Sequence, residues 1–502
     1  MSRKQNETNM KKYRIITLVL AAATATVSCS KADYWGGIFE ASYYTNDAMM
    51  EDVTEEPSGD NFDEIKENKF VKVSEQSTST FSIDADGAAY AYMRRCVQSG
   101  RLPDANSVRI EEYLNYFTFD YADPTGEETV AINAEVGDCP WNTEHKLLRL
   151  GLKGKSLKDS EIPDANYILL IDTSGSMVGS DRIDLIKTGL CTMLDYMKPT
   201  DRIAIITYSG EVKKLLESTL VKDATKIKKA IKGLQASGCT AGGAAMKMAY
   251  DEASEHYIKG GNNRIIMCTD GDFNVGVSST DALVEMVESY LDKGIYLSIM
   301  GFGTGNFQDS RMESLSNHGN GTYTYVDSEE EMMKVFVTER SHFYAVANDT
   351  KCQITFKGEA VDSYRLIGYE NRVMSNEDFE NDKKDAGEIG AGQTITALYE
   401  IVPAEGFKTD ESLARFDVRY KRALGGESRP LGLDVSCTGS AASENFNFAA
   451  GIAAYGLSLR NSEYKGSATL SMAEDLVGSA LGFDPDGFRA QLLKLIKKAS
   501  AF

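Results

Sequence analysis

The sequence has few of the residues on which several common chemistries depend. It contains 4 histidines and 2 tryptophans in 502 residues, so few candidates exist for a histidine-based metal site or a histidine general base. Its 8 cysteines are widely spaced and form no CxxC pair, which argues against a zinc site and against a disulfide framework. We therefore expect the cysteines other than Cys29 to be buried thiols.

Positive charge is also scarce. The chain has 54 basic and 75 acidic residues, a net charge of -21. Because a nucleic-acid surface needs clustered lysine and arginine, this balance excludes nucleic acid as the expected partner. The negative net charge favours solubility and suits cation binding. The length of the chain is enough for about three or four domains.

The N-terminal segment has the pattern of a secretion signal. Residues 10–29, MKKYRIITLVLAAATATVSC, combine a basic start, an apolar stretch and small residues before Cys29. The apolar stretch of about 12 residues is too short for a membrane span. We predict a signal peptide over residues 1–28. The position of Cys29 resembles that of the lipid-bearing cysteine of bacterial lipoproteins, so Cys29 is the predicted lipidation site, with ordinary secretion as the alternative.

The segment after Cys29 is polar and acidic and has no sustained period. We predict that residues 29–74 form a flexible tether that holds the folded part near a membrane surface. The alternative is that its aromatic residues pack onto the folded body; these are Tyr34, Trp35, Phe39, Tyr43 and Tyr44.

Apolar strands alternate with amphipathic helices in the middle of the chain. The predicted strands are YILLI, RIAIITY, RIIMCT, IYLSIM and TYTYV. This alternation predicts an α/β domain over residues 159–346, with a mostly parallel sheet covered by helices on both faces.

Strand patterns also occur on both sides of this domain. Residues 75–158 contain helices and the segments STFSI, TVAINAEV and KLLRLGL, and residues 347–440 contain CQITF, QTITALYEIV, LARFDVRY and RPLGLDV. Each flank alone has too few strands for a sandwich. We therefore predict that the flanks pair into one β-sandwich-like module into which the α/β domain is inserted. Residues 441–502 are predicted to be helical.

Oxygen-bearing side chains follow two of the predicted strands. YILLIDTSGSM places Asp172, Ser174 and Ser176 directly after the first strand, in a D-x-S-x-S pattern. Ligands of open parallel sheets bind beyond the carboxyl ends of the strands, where Thr240 of GCTAGG and Asp270, which follows RIIMCT, are also expected. Carboxylate and hydroxyl oxygens suit Mg²⁺ or Ca²⁺ rather than zinc. The alternative is that the hydroxyls only cap helices.

These motifs resemble a known family. Residues 160–345 resemble a von Willebrand factor type A domain, which has a Rossmann-like fold. The family's metal-ion-dependent adhesion site combines D-x-S-x-S with a distant threonine and a distant aspartate. The resemblance assigns Asp172, Ser174, Ser176, Thr240 and Asp270 as metal ligands. The flanking motifs STFSIDADGAAYAYMRR, YRLIGYENR and ALGFDPDGFR resemble one bacterial lipoprotein subgroup of the family.

The resemblance implies binding rather than catalysis. It implies a divalent cation, Mg²⁺ first, with Ca²⁺ or Mn²⁺ as alternatives, and an open metal position that an Asp or Glu carboxylate of a partner protein fills. The expected protein is a non-enzymatic, lipid-anchored binding protein of the bacterial cell envelope, on its periplasmic or surface face. A scaffold for a membrane-associated complex is the main alternative, and a metal-dependent hydrolase is the weaker one.

Overall fold

The computed structural model describes residues 62–238, 243–271, 280–303, 309–408, 410, 412–439 and 441–502. The predictions for the signal peptide, for Cys29, for the aromatic residues between 34 and 44 and for Thr240 lie outside these residues. The strands are β1 (Val71–Lys72), β2 (Thr78–Ser82), β3 (Val130–Asp138), β4 (Lys146–Gly154), β5 (Ala165–Asp172), β6 (Arg202–Tyr208), β7 (Val212–Leu220), β8 (Asn262–Thr269), β9 (Ile295–Phe302), β10 (Tyr323–Val326), β11 (Ala345–Phe356), β12 (Val361–Ile367), β13 (Val373–Met374), β14 (Ile389–Gly390), β15 (Thr394–Pro403), β16 (Ser412–Lys421) and β17 (Ser428–Ser436). The α-helices are Ala88–Gln98, Ile110–Asn115, Ile183–Met193, Ala224–Lys232, Gly243–Glu255, Thr280–Glu288, Asp309–Asn317, Glu329–Met333, Glu444–Arg460, Leu470–Gly478 and Phe488–Ala499.

The central domain contains a 6-stranded sheet in the order β10-β9-β8-β5-β6-β7. Neighbouring strands are parallel except for β7, which runs antiparallel to β6 at one edge. Every residue of β5 and of β8 is buried, and a separate apolar core lies on each face of the sheet. The predicted mostly parallel sheet covered on both faces is confirmed. Strand β7 was not predicted from the sequence.

The two flanks form one β-sandwich. One sheet has the order β1-β12-β15-β4-β3, and the other has the order β13-β2-β11-β16-β17, with β14 paired to β11. Each sheet combines strands from before and after the central domain, as in the pairs β4 with β15 and β2 with β11. One apolar core contains residues of both sheets. The predicted insertion of the α/β domain into a sandwich-like module is confirmed.

Helices from both ends of the described chain share a further core. Helices Ala88–Gln98 and Ile110–Asn115 pack there with the three C-terminal helices. Helix Ala88–Gln98 also presents Ala88, Ala91 and Tyr92 to the core of the α/β domain, so it is apolar on two sides. The predicted C-terminal helical region is confirmed. In the described part of the chain, no helix has the length and apolar character needed to cross a membrane.

The predicted tether is too long at its C-terminal end. The ring of Phe62 lies 5.0 Å from that of Tyr92, and Asn68 Nδ2 donates a hydrogen bond to the carbonyl oxygen of Gly368 at 2.8 Å. Strand β1 pairs with β12. Residues 62–74 are therefore part of the folded body, because their aromatic, amide and backbone groups all find partners there.

The cysteines that the structure describes are free thiols. Cys191 is half-buried, and the buried ones are Cys96, Cys139, Cys268, Cys352 and Cys437. Burial raises the pKa of the Cys268 thiol to about 12, so this side chain acts as a small apolar group of the core.

Buried charges join the α/β domain to the sandwich. Arg372, which follows β12, lies 3.1 Å from Asp84 and 3.4 Å from Asp86. The same guanidinium lies 3.6 Å from Glu313, in a helix of the α/β domain, and Asp86 Oδ1 accepts a hydrogen bond from the backbone N–H of Tyr323 at 2.7 Å. We call Arg372, Asp84, Asp86 and Glu313 the junction cluster. It fixes the two parts to each other through charges that are shielded from water.

A second buried ion group ties helix Ala88–Gln98 to the same domain. Arg94 is 2% exposed and lies 2.5 Å from Asp327 and 2.7 Å from Glu331. The Tyr116 hydroxyl donates to the same Glu331 carboxylate at 2.7 Å. These contacts hold the N-terminal helices against the end of β10.

Removing the arginine of the junction cluster is expected to destabilise the protein strongly. Arg372→Ala leaves three buried carboxylates without this counter-charge, and we expect the free energy of unfolding to fall by about 3–5 kcal/mol in urea titrations followed by circular dichroism. The control is Arg415→Ala, which removes a pair with Asp417 on the solvent side of β16 and should change stability little. Equal effects of the two substitutions would contradict the role given to the cluster.

Candidate metal centre

The site lies where the sheet changes direction. Strand β5 has β6 on one side and β8 on the other, and the chain reaches these two strands by connections that run in opposite directions across the sheet. Ligands of open α/β sheets bind at the carboxyl ends of the strands at such a point. Asp172 is the last residue of β5, and Asp270 follows the last residue of β8. The topology therefore places both aspartates at one edge of neighbouring central strands.

The D-x-S-x-S segment folds back on its own carboxylate. The backbone N–H of Ser174 donates to Asp172 Oδ1 at 2.8 Å. A single 3-10 turn over Gly175–Met177 then brings Ser176 round, so that its Oγ lies 3.0 Å from that of Ser174. Met177 is fully buried and anchors the turn in the core. The structure thus brings Asp172, Ser174 and Ser176 together, as the spacing predicts.

A neighbouring loop holds this turn in place. The backbone N–H of Ser237 donates to the carbonyl of Thr173 at 2.7 Å, and that of Gly175 donates to the carbonyl of Gly238 at 3.0 Å. Thr240 lies outside the described residues. The segment that leads to Thr240 is bonded to the D-x-S-x-S turn at Gly238, two residues before the threonine.

The end of β8 forms the other side of the site. Thr269 Oγ1 lies 3.5 Å from Asp172 Oδ2 and accepts a hydrogen bond from the backbone N–H of Gly271 at 3.2 Å. Gly271 has a φ of 96°, a left-handed conformation that glycine adopts without strain. The chain therefore turns sharply after Asp270, whose side chain stays buried beside β5.

Charge and burial at this edge favour a cation. Asp172 is 0% exposed and Asp270 is 4% exposed, whereas Ser176 is exposed to solvent. Burial, with a smaller contribution from the negative charge of Asp270, raises the pKa of Asp172 to about 6. Carboxylates and hydroxyls are hard oxygen donors, the set that Mg²⁺ prefers and zinc does not. The side chains present therefore fit a hard divalent cation that is reached from the side of Ser176.

Comparisons with known proteins identify the family. The von Willebrand factor type A domain model matches residues 167–272, a von Willebrand factor model matches residues 56–149, and a model described as the C-terminal part of uncharacterized protein YfbK matches residues 341–502. Uncharacterized protein YfbK of Escherichia coli (strain K12) is 36% identical over 469 residues, which cover 88% of this chain and 81% of YfbK. The chain belongs to the YfbK family of von Willebrand factor type A domain proteins. The resemblance stated from the sequence motifs is thus confirmed at the level of the family.

More distant relatives share only part of the chain. Human inter-alpha-trypsin inhibitor heavy chain H3 is 28% identical over 176 residues, which cover 33% of this chain and 20% of the heavy chain. The chain thus matches about a fifth of that protein's length. A solved structure, von Willebrand factor type A from Catenulispora acidiphila, aligns with a TM-score of 0.44 at 13% identity and covers 74% of this chain and 89% of its own.

A support for the D-x-S-x-S loop was not predicted from the sequence. Arg95 Nη2 donates to Asp181 Oδ2 at 2.7 Å, and Arg95 Nη1 donates to the Tyr325 hydroxyl at 3.0 Å. Asp181 follows the D-x-S-x-S turn by five residues, and Arg95 belongs to a helix of the N-terminal flank. The two residues are 86 positions apart, and neither has a local signal that would indicate the other.

Neutralising the buried aspartate is expected to stabilise the metal-free protein. The folded-state pKa of Asp172, about 6, lies above its ordinary value of 3.8, so its contribution to stability is present below 3.8 and is lost as the pH rises through 6. Asp172→Asn removes this loss, so its gain over the parent protein should grow from near zero at about pH 4 to about 2–3 kcal/mol at about pH 7, measured by urea unfolding in EDTA. The exposed Asp184→Asn should show no such gain. A pH-independent difference would show that Asp172 is not held in a raised-pKa state.

Proposed function

We propose that this chain binds a protein partner through a divalent cation, Mg²⁺ first, at the edge of the α/β sheet. The proposed ligands are Asp172, Ser174, Ser176, Thr240 and Asp270. The observation that carries the proposal is the convergence of two buried carboxylates and two hydroxyls at one open edge of a parallel sheet. A bound cation supplies positive charge there, which a carboxylate from another protein can approach.

Binding suits these groups better than catalysis. Asp172 accepts hydrogen bonds from the backbone of Ser174 and from the side chain of Thr269, so its oxygens position the turn. A carboxylate keeps further lone pairs beside these two bonds, and a cation can use them without a proton being transferred. We therefore propose a binding protein and not an enzyme.

We further propose that the protein is lipid-anchored at Cys29 in the bacterial cell envelope. The support is the N-terminal sequence pattern, in which a basic start, a short apolar stretch and small residues precede the cysteine. The acidic residues that follow Cys29 would then separate the folded part from the membrane surface.

Partner capture should depend on the cation. The immobilised protein, incubated with solubilised membranes of its source cell, is expected to retain one or more proteins in Mg²⁺ and to release them in EDTA. Asp172→Ala should retain none of them, because it removes a buried carboxylate that the proposed cation binds. The control is Asp184→Ala, which changes an exposed aspartate nearby and should behave like the parent protein. Mass spectrometry of the eluates measures both effects. Identical eluates with Mg²⁺ and with EDTA would refute metal-dependent binding.

Membrane attachment should depend on Cys29. Cys29→Ser is expected to move the protein from the membrane fraction to the soluble fraction of fractionated cells, since one acyl-bearing residue is removed and the folded part is unchanged. Immunoblotting of the two fractions measures the shift, and Cys191→Ser is the matched control. A variant that stays in the membrane fraction would refute lipidation at Cys29.

A further inference from the structure

Positive charge is concentrated next to the metal centre. Residues 209–238 contain seven lysines and three acidic residues, a local charge of +4, whereas the whole chain has a net charge of -21. This stretch forms β7, helix Ala224–Lys232 and the loop that bonds to the D-x-S-x-S turn. A local excess of this sign in an acidic protein indicates a surface that meets an anionic partner.

Three of the lysines lie along one face of helix Ala224–Lys232, and a fourth lies in the 3-10 turn Val221–Asp223 that precedes it. The three occur at relative positions 0, 3 and 6, which place them on one side of the helix, while Ile227 and Ile231 are buried on the other side. We call these four residues, together with Lys213 of β7, the lysine track. Its members are Lys213, Lys222, Lys226, Lys229 and Lys232.

The lysine track is exposed and lacks counter-charges in the structure. All five side chains are exposed, and none forms a salt bridge with another residue that the structure describes. The two other lysines of this stretch differ: Lys214 lies 2.6 Å from Glu252, and Lys228 lies 2.5 Å from Asp195. In the described part of the chain, Lys214 and Lys228 are thus paired with acidic side chains, whereas the lysines of the track can contact an anionic ligand.

The strand end of the track lies beside the metal centre. Asp172 of β5 pairs with Tyr208 of β6, and Tyr208 pairs with Val212 of β7. Neighbouring strands are about 4.8 Å apart, so the backbone of Val212 lies about 10 Å from that of Asp172. Lys213 is the next residue along β7.

The helix end of the track reaches the same edge of the sheet. Strand β7 runs away from the metal centre, and helix Ala224–Lys232 returns toward it. The loop that follows bonds to the metal turn through Ser237 and Gly238. From Lys222 to Lys232 the track extends about 15 Å, at a rise of about 1.5 Å per helical residue.

We propose that the lysine track binds an acidic, extended segment of the protein partner, of which one carboxylate is held at the metal centre. This inference rests on the proposed function and adds the class of ligand. An extended chain spans about 15 Å in about five residues, so the segment is defined as several Asp or Glu residues within about ten positions. The positive charge of the track speeds the association with acidic segments and favours them over neutral ones. The cation, by binding one carboxylate, sets where along the track the segment lies.

The experiment uses synthetic peptides as probes of the folded chain without its signal peptide. One fluorescein-labelled peptide carries six Asp or Glu residues in about twelve, and a matched peptide keeps one Asp and replaces the others by Asn or Gln. Fluorescence anisotropy is measured in Mg²⁺ and in EDTA, at low and high NaCl. The protein variants are Lys229→Gln with Lys232→Gln, Asp172→Ala, and the control Lys155→Gln with Lys158→Gln, two exposed lysines outside the track.

The acidic peptide is expected to bind more tightly than the matched peptide, with an affinity that falls at high NaCl. The Lys229/Lys232 double variant should weaken its binding by about fivefold at low salt, since two exposed charge contacts are lost, and the control double variant should not. If EDTA and Asp172→Ala weaken both peptides, but the track variant changes neither, the proposed function stands and the track is refuted. If only the track variant weakens binding, the track is supported and the metal-dependent function fails.

A further measurement tests whether the track binds anionic lipid rather than an acidic peptide. Sedimentation with vesicles of phosphatidylglycerol and phosphatidylcholine is measured with the same variants. Track-dependent binding to these vesicles without a preference for the acidic peptide would overturn the proposal in favour of a membrane surface.

Discussion

The arrangement of this protein depends on buried charges that must remain paired. The α/β domain interrupts the sandwich, and the junction cluster joins the two parts with Arg372 and three carboxylates, of which Asp84 is 0% exposed. A buried ion pair adds little stability compared with apolar packing, but breaking it is costly, so it selects one arrangement strongly. The position of the α/β domain on the sandwich is thus held by these charges as well as by the two connections of the chain.

This arrangement leaves the candidate metal centre on the far side of the inserted domain. The chain enters β5 at Ala165 and leaves the domain after Phe343, whose ring lies 6.2 Å from that of Tyr167 near the start of β5. Both crossings therefore lie at the amino ends of the parallel strands. Asp172 and Asp270 lie at the carboxyl ends, so the sheet itself separates the site from the connections to the sandwich.

Local patterns predicted what depends on local order. The apolar runs of β5 and β8 indicate buried parallel strands, and D-x-S-x-S indicates a turn with clustered oxygens. The sandwich could be inferred because each flank alone has too few strands. Strand β7 escaped prediction because it lies at an edge, has two irregularities in its pairing with β6 and lacks a clean alternation. The pairing of Asp84 with Arg372 joins residues 288 positions apart, and no local pattern predicts it.

Helix Ala88–Gln98 connects the junction to the candidate metal centre. It begins two residues after Asp86, which bonds to the start of β10, and near its other end Arg95 bonds to Asp181 beyond the D-x-S-x-S turn. Because a helix of 11 residues is a rigid rod of about 16 Å, it fixes the distance between these two places. The same helix also fills part of the core of the α/β domain. Residues 159–346 are therefore incomplete by themselves, and the flank that precedes them is part of the structure that positions the site.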